Sequence, residues 1–318
     1  MKEMKKILAR LLLAVMIVTT VTSPLNTFAA SNKEVAKEAL AIENPEGLSV
    51  AADYSILMDV DTGSVLYQKS ALKKTPSAST SKLITAIAAC ELLDEDETMK
   101  IGSEVNRAAW DASKAGFKKG QKVKLEHLLT GLLLPSGCDA AYILAVKGGR
   151  SLAGDEIISQ KKAIKKFMAY CNKIAKDIGC ANSNFVTPDG YDATNHYTCA
   201  YDMALIGKKA LAYPMIADIV KKNYAKVKIV SGKTFTWYNT NALLYRNTAN
   251  YVKDCIGLKT GTTGKAGKCL VAAVTVYDKT YISVVLHDTK SGRFTDSKKL
   301  LTYAIDTYLT SSTSDGVE

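Results

Sequence analysis

The stretch IGLKTGTTGKAGKCLVAAVTVYDKTYISVVLHD, residues 256–288, decides the fold. It is rich in β-branched residues, which favour strands, and it divides into three runs. The last two runs meet at Asp278-Lys279, a connection short enough for a tight turn between antiparallel neighbours. We therefore predict three consecutive antiparallel strands at 256–262, 268–277 and 280–288.

The N-terminal third of the chain adds a hairpin and a buried helix. Residues 54–59 and 64–68 are apolar-rich runs on either side of Asp61-Thr62-Gly63, which is a turn sequence. Further on, apolar side chains recur at helical spacing and predict a helix over 79–93. They lie on more than one face of that helix, so we expect it to be buried.

The central part of the chain is mostly helical in pattern. The helical pattern runs from 103 to 210, with loops predicted at 135–137, 148–149 and 188–190. Residues 296–309 return to a helical period. Strands at both ends with helices between them indicate one α+β unit: an antiparallel sheet built from both chain ends and a helical middle subdomain.

Composition places the chain among globular proteins. Of 318 residues, 47% are hydrophobic and 23% are charged, which excludes disorder, collagen-like repeats and a polytopic membrane protein. Residues 1–29 combine a positive head, an apolar core at 11–21 and small residues at Thr27 and Ala29, so we predict a signal peptide cut after Ala29. An uncleaved membrane anchor is the alternative, although the apolar run is shorter than the ~20 residues of a bilayer span.

The net charge of the chain indicates which surfaces the protein is expected to bind. The whole chain carries a formal charge of +11, and removal of residues 1–29 leaves +8. Such a protein is expected to associate with an anionic cell envelope, and nucleic acid is not needed to explain its basicity. We interpret 30–50 as a leader, 51–310 as one folded domain and 311–318 as a polar tail with no apolar face for a membrane anchor.

Cysteine and histidine usage gives no sign of a metal or a cofactor. There are seven cysteines, an odd number, and most stand in apolar surroundings typical of core residues. Only Cys171 and Cys180 suggest a disulfide by their spacing, and free thiols are the preferred interpretation. No C-x-x-C pair exists and the three histidines lack ligand spacing, so we expect neither a metal site nor a cofactor.

Ser79-Thr80-Ser81-Lys82 is an S-x-x-K element at the start of the predicted helix. Positions i and i+3 share a helix face, so the Ser79 hydroxyl and the Lys82 amine can hydrogen-bond. A serine is a weak nucleophile until a base takes its proton, and a lysine becomes such a base when burial or a second cation lowers its pKa. By itself this tetrad is weak evidence, because such pairs also arise by chance.

Two further triplets follow in a meaningful order. Ser136-Gly137-Cys138 ends a helical run, and Lys259-Thr260-Gly261 lies in the first of the three predicted C-terminal strands. The set S-x-x-K, S-x-N and K-T-G is the signature of penicillin-binding proteins and class A β-lactamases. Because the triplets are 57 and 180 residues beyond Ser79, they can act together only in a folded site.

With these motifs the chain resembles the low-molecular-mass penicillin-binding proteins of the D-alanyl-D-alanine carboxypeptidase type, serine peptidase family S11. The resemblance runs from about residue 52 to 308 and includes more than the triplets. It covers the opening hairpin, Asp139-Ala140-Ala141, Asn195-His196-Tyr197 and the run 200–204. It implies a β-lactamase/DD-peptidase-like fold, peptidoglycan stem peptides as substrates, β-lactam antibiotics as inhibitors, and a role in cell-wall biogenesis and cell shape.

The resemblance also implies roles for individual residues. Ser79 would attack the carbonyl between two D-alanines, Lys82 would take its proton, and Ser136 would pass a proton to the leaving D-alanine. The backbone N–H groups of Ser79 and Thr262 would form the oxyanion hole. The remaining predicted site residues would bind substrate: Cys138, Lys259, Thr260, Gly261 and Arg293. Lys259 would also help to keep the Lys82 amine neutral by like-charge repulsion, and the planar guanidinium of Arg293 suits a carboxylate.

Two residues depart from the family pattern. The third residue of the central triplet is usually asparagine and here is Cys138, whose thiol is a poorer hydrogen-bonding group. One such hydrogen bond is worth ~0.5 to 1.5 kcal/mol, so activity is expected to fall by roughly an order of magnitude. Pro188-Asp189-Gly190 has aspartate where relatives usually have histidine, a change expected to affect a loop and leave the mechanism unaffected.

Three functions remain open from the sequence. The leading one is a D-Ala-D-Ala carboxypeptidase. A serine β-lactamase shares the acyl-enzyme, but the Glu-x-x-Leu-Asn element by which class A enzymes activate water is not found in the sequence. A catalytically weak wall-binding homologue, disabled by Cys138, is the third.

Overall fold

The computed structural model describes the backbone of residues 25–314 and the side chains of residues 32–309. The predicted signal peptide lies outside the described residues as far as residue 24, as do residues 315–318 of the predicted tail. The predicted cut after Ala29 falls within a helix, Leu25–Ala39, here named α1. Ala36 on this helix is buried, and Asn32 donates a hydrogen bond to the carbonyl of Lys176 over 3.3 Å, so the predicted leader contacts the folded body.

Strands from both chain ends form one antiparallel sheet. In chain order the described strands are β1 Tyr54–Asp59, β2 Val65–Lys69, β3 Met99–Lys100, β4 Lys122–Val123, β5 Tyr224–Lys228, β6 Thr234–Tyr238, β7 Cys255–Thr263, β8 Gly267–Val276 and β9 Lys279–Asp288. Five of them form the main sheet in the order β2-β1-β9-β8-β7. The predicted hairpin and the three predicted C-terminal strands are therefore confirmed.

Helices fill the middle of the chain and close its C-terminal end. After α1 the described α-helices are α2 Lys82–Leu92, α3 Leu125–Leu133, α4 Cys138–Ser151, α5 Gln160–Asp177, α6 Ala200–Leu211, α7 Pro214–Val220 and α8 Gly292–Ser314. The predicted helix over 79–93 is confirmed, although its first turn, Ala78–Ser81, is a 3₁₀-helix. The α+β class and the helical middle are likewise confirmed. Among the described residues, no helix is both long and apolar enough to cross a bilayer.

Each face of the main sheet packs against helices. Side chains alternate along β9, so Val284 joins a core cluster that also holds residues of α2 and α6, while Val285 joins a second cluster with residues of α8. α2 lies at the centre of the first core, and every residue from Lys82 to Ala89 is buried. A hydrophobic core therefore surrounds the start of α2, the place where the S-x-x-K element lies.

The loop predicted at Gly148-Gly149 is wrong, because both glycines lie inside α4. A Cβ atom on Gly149 would lie 1.9 Å from the carbonyl oxygen of Ala163, and one on Gly148 would lie 2.7 Å from the ring of Phe167. Both neighbours belong to α5. The glycines serve a close approach of two helices, and they do not mark a turn.

The sequence pattern assigned no element to the hairpin formed by β5 and β6. Phe235 and Trp237 alternate with exposed residues along β6 and stack with their ring centroids 4.9 Å apart. The indole N–H of Trp237 donates to the carbonyl of Ala115 over 2.9 Å. This hairpin therefore holds the segment around Ala115, which borders the site described next.

Candidate active site

The turn before α2 brings Ser79 and Lys82 together. The hydrogen bond between the Ser79 hydroxyl and the Lys82 amine is 2.7 Å long. Lys82 is fully buried and also donates to the carbonyl oxygen of Asp189 over 2.8 Å and to the Cys138 sulfur over 3.2 Å. Ala78 has a φ of +47°, a left-handed conformation uncommon for alanine, and it directs the chain into the turn that presents Ser79.

The Ser136-Gly137-Cys138 triplet forms the bend between α3 and α4. Ser136 has a φ of +63°, and its carbonyl accepts a hydrogen bond of 2.6 Å from Ser113. A Cβ atom on Gly137 would lie 2.6 Å from the carbonyl oxygen of Gly131, so only glycine fits at this position. The Asp139 carboxylate accepts the backbone N–H groups of three successive residues at 2.8, 2.8 and 3.1 Å: Ala115, Gly116 and Phe117. These contacts fix the bend in one conformation.

The Lys259-Thr260-Gly261 triplet lies on β7, an edge strand of the main sheet. A Cβ atom on Gly261 would lie 3.0 Å from the Cβ of Ala78 and 3.2 Å from the backbone nitrogen of Ser79. The glycine therefore lets the edge strand lie directly against the turn that carries Ser79. This arrangement brings the predicted oxyanion-hole residues, Ser79 and Thr262, to neighbouring segments.

Lys259 is a buried cation beside other cations. Burial lowers the pKa of Lys259 well below its usual value, and the nearby charges of Lys82 and Arg293 lower it further. The Lys259 ammonium donates to the carbonyl of Thr260 over 3.0 Å. The charge of Lys82 thus disfavours a full positive charge on Lys259. The expectation that Lys259 keeps the Lys82 amine neutral stays a prediction.

Arg293 lies at the start of α8, beside β7. One terminal nitrogen of its guanidinium donates to the carbonyl of Gly261 over 3.0 Å and to the Thr262 hydroxyl over 3.1 Å. The arginine thus faces the edge strand next to the Ser79 turn. A guanidinium at this end of the site places a positive charge where an anionic group can bind.

A cavity of about 370 Å³ joins these elements. Seven of the predicted site residues line it: Ser79, Ser136, Cys138, Thr260, Gly261, Thr262 and Arg293. Lys82 and Lys259 are not on the lining, and both are completely buried. Lys82 reaches the lining through Ser79 and Cys138. The cavity size suits a small peptide end, at the lower end of the range for ligand sites.

The loop at 188–190 lies closer to this site than the sequence pattern led us to expect. The Asp189 carbonyl accepts from Lys82 and, over 3.4 Å, from the Ser79 hydroxyl. Gly190 has a φ of +79°, and a Cβ there would lie 1.9 Å from the carbonyl oxygen of Ala78. The loop packs directly on the Ser79 turn, but Asp189 contacts Lys82 and Ser79 through its backbone carbonyl. The expectation that aspartate in place of histidine leaves the mechanism unaffected therefore stays a prediction. The Pro-Asp-Gly turn predicted a loop at this position, but no residue type in it indicated that the loop contacts Ser79.

Replacing Cys138 with asparagine (Cys138→Asn) is expected to raise the rate of acylation by penicillin up to about tenfold. Burial raises the pKa of the Cys138 thiol, so Lys82 faces a neutral thiol, which is a weak acceptor. An amide oxygen at that position would gain one hydrogen bond of ~0.5 to 1.5 kcal/mol. Stopped-flow measurement with a fluorescent penicillin checks this. Cys90→Asn, the same change away from the cavity, serves as control, and an unchanged or lower rate in Cys138→Asn would contradict the prediction.

Stability is expected to fall as the pH drops from about 6.5 towards 4, in part because of His196. Burial lowers the pKa of His196 to about 4, while the Asp189 and Asp192 carboxylates act in the opposite direction. An unfolded histidine titrates near 6.5, so within this window the unfolded chain binds a proton that the native state excludes. The slope from one such group is at most about 1.4 kcal/mol per pH unit.

Urea unfolding at pH 7, 6, 5 and 4.5 measures this slope in the wild type and in His196→Asn. The variant should show a smaller slope, though not zero, because burial also lowers the pKa of His127. An identical slope in both proteins would show that His196 does not contribute in this window.

Comparison with known proteins agrees with this geometry. The family model described as D-alanyl-D-alanine carboxypeptidase matches residues 38–290. D-alanyl-D-alanine carboxypeptidase DacF of Bacillus subtilis (strain 168) is 29% identical over 312 residues, which are 96% of this chain and 72% of that protein. The D-alanyl-D-alanine carboxypeptidase of Streptomyces sp. (strain K15) is 34% identical over 278 residues, 84% of this chain and 91% of its own length.

A solved structure gives the same result. The crystal structure of the Streptomyces K15 DD-transpeptidase superposes with a TM-score of 0.74 at 32% identity and covers 83% of this chain and all of that chain. The family model spans every residue that lines the cavity except Arg293. The chain therefore belongs to the D-alanyl-D-alanine carboxypeptidase family of serine peptidases, family S11.

Proposed function

We propose that this protein is a serine-type D-Ala-D-Ala carboxypeptidase that removes the terminal D-alanine from peptidoglycan stem peptides and is acylated by penicillin. The observation that carries the proposal is the hydrogen bond of 2.7 Å between the Ser79 hydroxyl and the fully buried Lys82 amine, beside a cavity sized for a peptide end. Residues 51–310 are proposed as the catalytic domain.

Acylation begins at Ser79. Its oxygen attacks the carbonyl carbon of the D-Ala-D-Ala bond while its proton passes to the Lys82 amine, which acts as the general base. The negative charge that develops on the carbonyl oxygen is stabilised by the backbone N–H groups of Ser79 and Thr262. The carbon–nitrogen bond then breaks, and the leaving D-alanine takes a proton through the Ser136 hydroxyl. An ester between Ser79 and the penultimate D-alanine remains.

Deacylation returns the enzyme to its first state. A water molecule attacks the ester, its proton passes to Lys82, and the Ser79 oxygen leaves as a hydroxyl when Lys82 gives the proton back. The terminal carboxylate of the substrate is proposed to bind Thr260 and the guanidinium of Arg293, supported by the nearby Lys259. Its negative charge offsets the local excess of positive side chains.

Acyl transfer to an amine is the second candidate reaction. The specific observation in its favour is that the relative from Streptomyces K15 is described both as a D-alanyl-D-alanine carboxypeptidase and as a DD-transpeptidase. The two reactions share the acyl-enzyme and differ only in whether water or an amine attacks it. The acceptor therefore has to be identified from the products.

Incubation with diacetyl-L-Lys-D-Ala-D-Ala, with and without glycylglycine, separates these possibilities. We expect D-alanine release and a shortened peptide without the amine, and a glycylglycine adduct if transfer competes. Adduct formation without hydrolysis would replace the carboxypeptidase with a transpeptidase. Rapid turnover of penicillin without peptide cleavage would favour a β-lactamase, and binding of muropeptides without any D-alanine release would favour a wall-binding homologue.

Export to the cell envelope is proposed on two sequence features. Residues 1–29 have the pattern of a signal peptide, and the chain that remains has a formal charge of +8. Mass measurement of the protein recovered from a secreting host identifies the first residue of the mature chain, and a salt-dependent association with isolated anionic wall polymer tests the charge argument.

A further inference from the structure

His196 lies behind the nucleophile, in contact with the turn that carries it. The ring is only 5% exposed, and its Nε2 atom is 2.9 Å from both the Ser77 and the Ser81 hydroxyl oxygens. Those two oxygens are themselves 2.5 Å apart. Ser77 and Ser81 stand two residues before and two residues after Ser79, so the imidazole contacts the turn on both sides of the nucleophile.

The other nitrogen of the same ring contacts a different segment. The Nδ1 atom accepts the backbone N–H of Val186 over 3.0 Å and that of Thr187 over 3.2 Å. A backbone N–H can only donate, so Nδ1 carries no proton and the neutral ring has its proton on Nε2. His196 therefore donates to the serine pair and accepts from the loop at the same time.

That loop continues to the carbonyl that holds the Lys82 amine. Residues 186–189 lead from the histidine contacts to Asp189, whose carbonyl oxygen accepts from Lys82 over 2.8 Å. The Pro188 carbonyl accepts from Thr85 over 2.7 Å, which fastens the loop to α2 as well. One imidazole thus joins the segment that presents the serine to the segment that holds its base.

We propose that His196 is a positioning residue for the acylation step, setting the Ser79 turn against the loop whose Asp189 carbonyl orients the Lys82 amine. The inference rests on the proposed function. Proton transfer from the Ser79 hydroxyl to the Lys82 amine requires these two groups to keep hydrogen-bond geometry. A displacement of about 1 Å in a catalytic group can lower a rate by about 10²-fold. The histidine itself touches neither substrate nor the reacting atoms.

The test compares His196→Phe with Asn172→Ala. Phenylalanine keeps an aromatic ring beside Phe185, whose ring centroid is 5.8 Å from that of His196, but it removes all hydrogen bonds of the histidine. Asn172 anchors the start of the same loop through both backbone groups of Phe185, at 2.7 and 2.8 Å. It has no hydrogen bond to the two serines. Both variants loosen the loop, and only His196→Phe breaks the link to the Ser79 turn.

The measurement is the acylation rate at a series of fluorescent penicillin concentrations, well below the melting temperature of each variant. For His196→Phe we expect the limiting acylation rate to fall about 10- to 100-fold while the half-saturating concentration changes little. Asn172→Ala should retain at least about a third of the wild-type rate at a comparable loss of melting temperature. Equal losses of rate in the two variants would reduce His196 to a structural core residue and overturn the inference.

Two further variants keep the test decisive if His196→Phe does not fold. His196→Asn retains an acceptor for the loop but cannot reach the serines, and Ser81→Ala removes one of the serine partners. Each should lower the limiting rate by about 3- to 10-fold, and wild-type rates in both would overturn the inference. Failure of the wild type to be acylated at all would instead contradict the proposed function.

Discussion

Replacing Ser79 with alanine (Ser79→Ala) is expected to lower D-alanine release and acylation by penicillin by roughly 10⁴-fold or more, down to the detection limit. The hydroxyl is the only group of this residue that can form the ester. Its oxygen is 2.7 Å from the buried amine, and among the described residues no other hydroxyl hydrogen-bonds to Lys82. Loss of the oxygen should leave the fold intact, because Ser79 is only half-buried and its one further hydrogen bond, to Asp189, is 3.4 Å long.

Ser55→Ala is the matched control. Ser55 is a completely buried serine in β1 whose hydroxyl has no hydrogen-bond partner in the described structure. We expect wild-type rates from this variant. Residual acylation of Ser79→Ala above a few per cent of the wild-type rate would mean that another residue is the nucleophile.

Replacing Lys82 with methionine (Lys82→Met) is expected to lower the acylation rate by about 10³-fold. Methionine fills most of the volume of the buried side chain, so packing is preserved while the base is lost. General-base catalysis of this kind contributes roughly 10²- to 10⁴-fold. Stopped-flow acylation measures the loss, and thermal unfolding checks that the variant is folded.

Lys82→Arg separates the chemistry from the charge. An arginine carries a fixed positive charge and cannot give up its proton at any usable pH, so it cannot act as a base. We expect its rate to be as low as that of Lys82→Met. Recovery of more than about a tenth of the wild-type rate in Lys82→Arg would show that Lys82 acts as a fixed charge and that the proton goes elsewhere.

The sheet and the central helix were predictable because their sequences carry strong periodic signals. β7, β8 and β9 were located to within one residue at each end from β-branched runs and one short turn. The local sequence pattern gave a wrong or missing prediction where tertiary packing determines the secondary structure. Gly148-Gly149 looks like a loop, yet it is helical because α5 approaches there too closely for a side chain. The β5–β6 hairpin was missed, because outward positions of both strands carry the exposed aromatic residues Tyr224 and Tyr238, so polar and apolar residue types do not alternate clearly.

The three motifs were predictable because each is contiguous in sequence, and the structure brings all of them to one cavity. The contacts that hold them were not predictable, because they come from residues distant in sequence or from backbone atoms. The contact of the Asp189 carbonyl with Lys82 uses a backbone atom, so the type of residue at position 189 does not predict it. His196 was noted only as part of a resemblance. Burial of Lys259 beside Lys82 likewise results from tertiary packing between segments distant in sequence.

Mass spectrometry of the protein after incubation with benzylpenicillin, followed by peptide mapping, tests most directly whether Ser79 is the nucleophile. We predict one penicilloyl adduct per chain, on the peptide that contains Ser79, and no adduct in Ser79→Ala. An adduct on Ser136 or Cys138, or turnover of the drug without any adduct, would contradict the mechanism proposed for this protein.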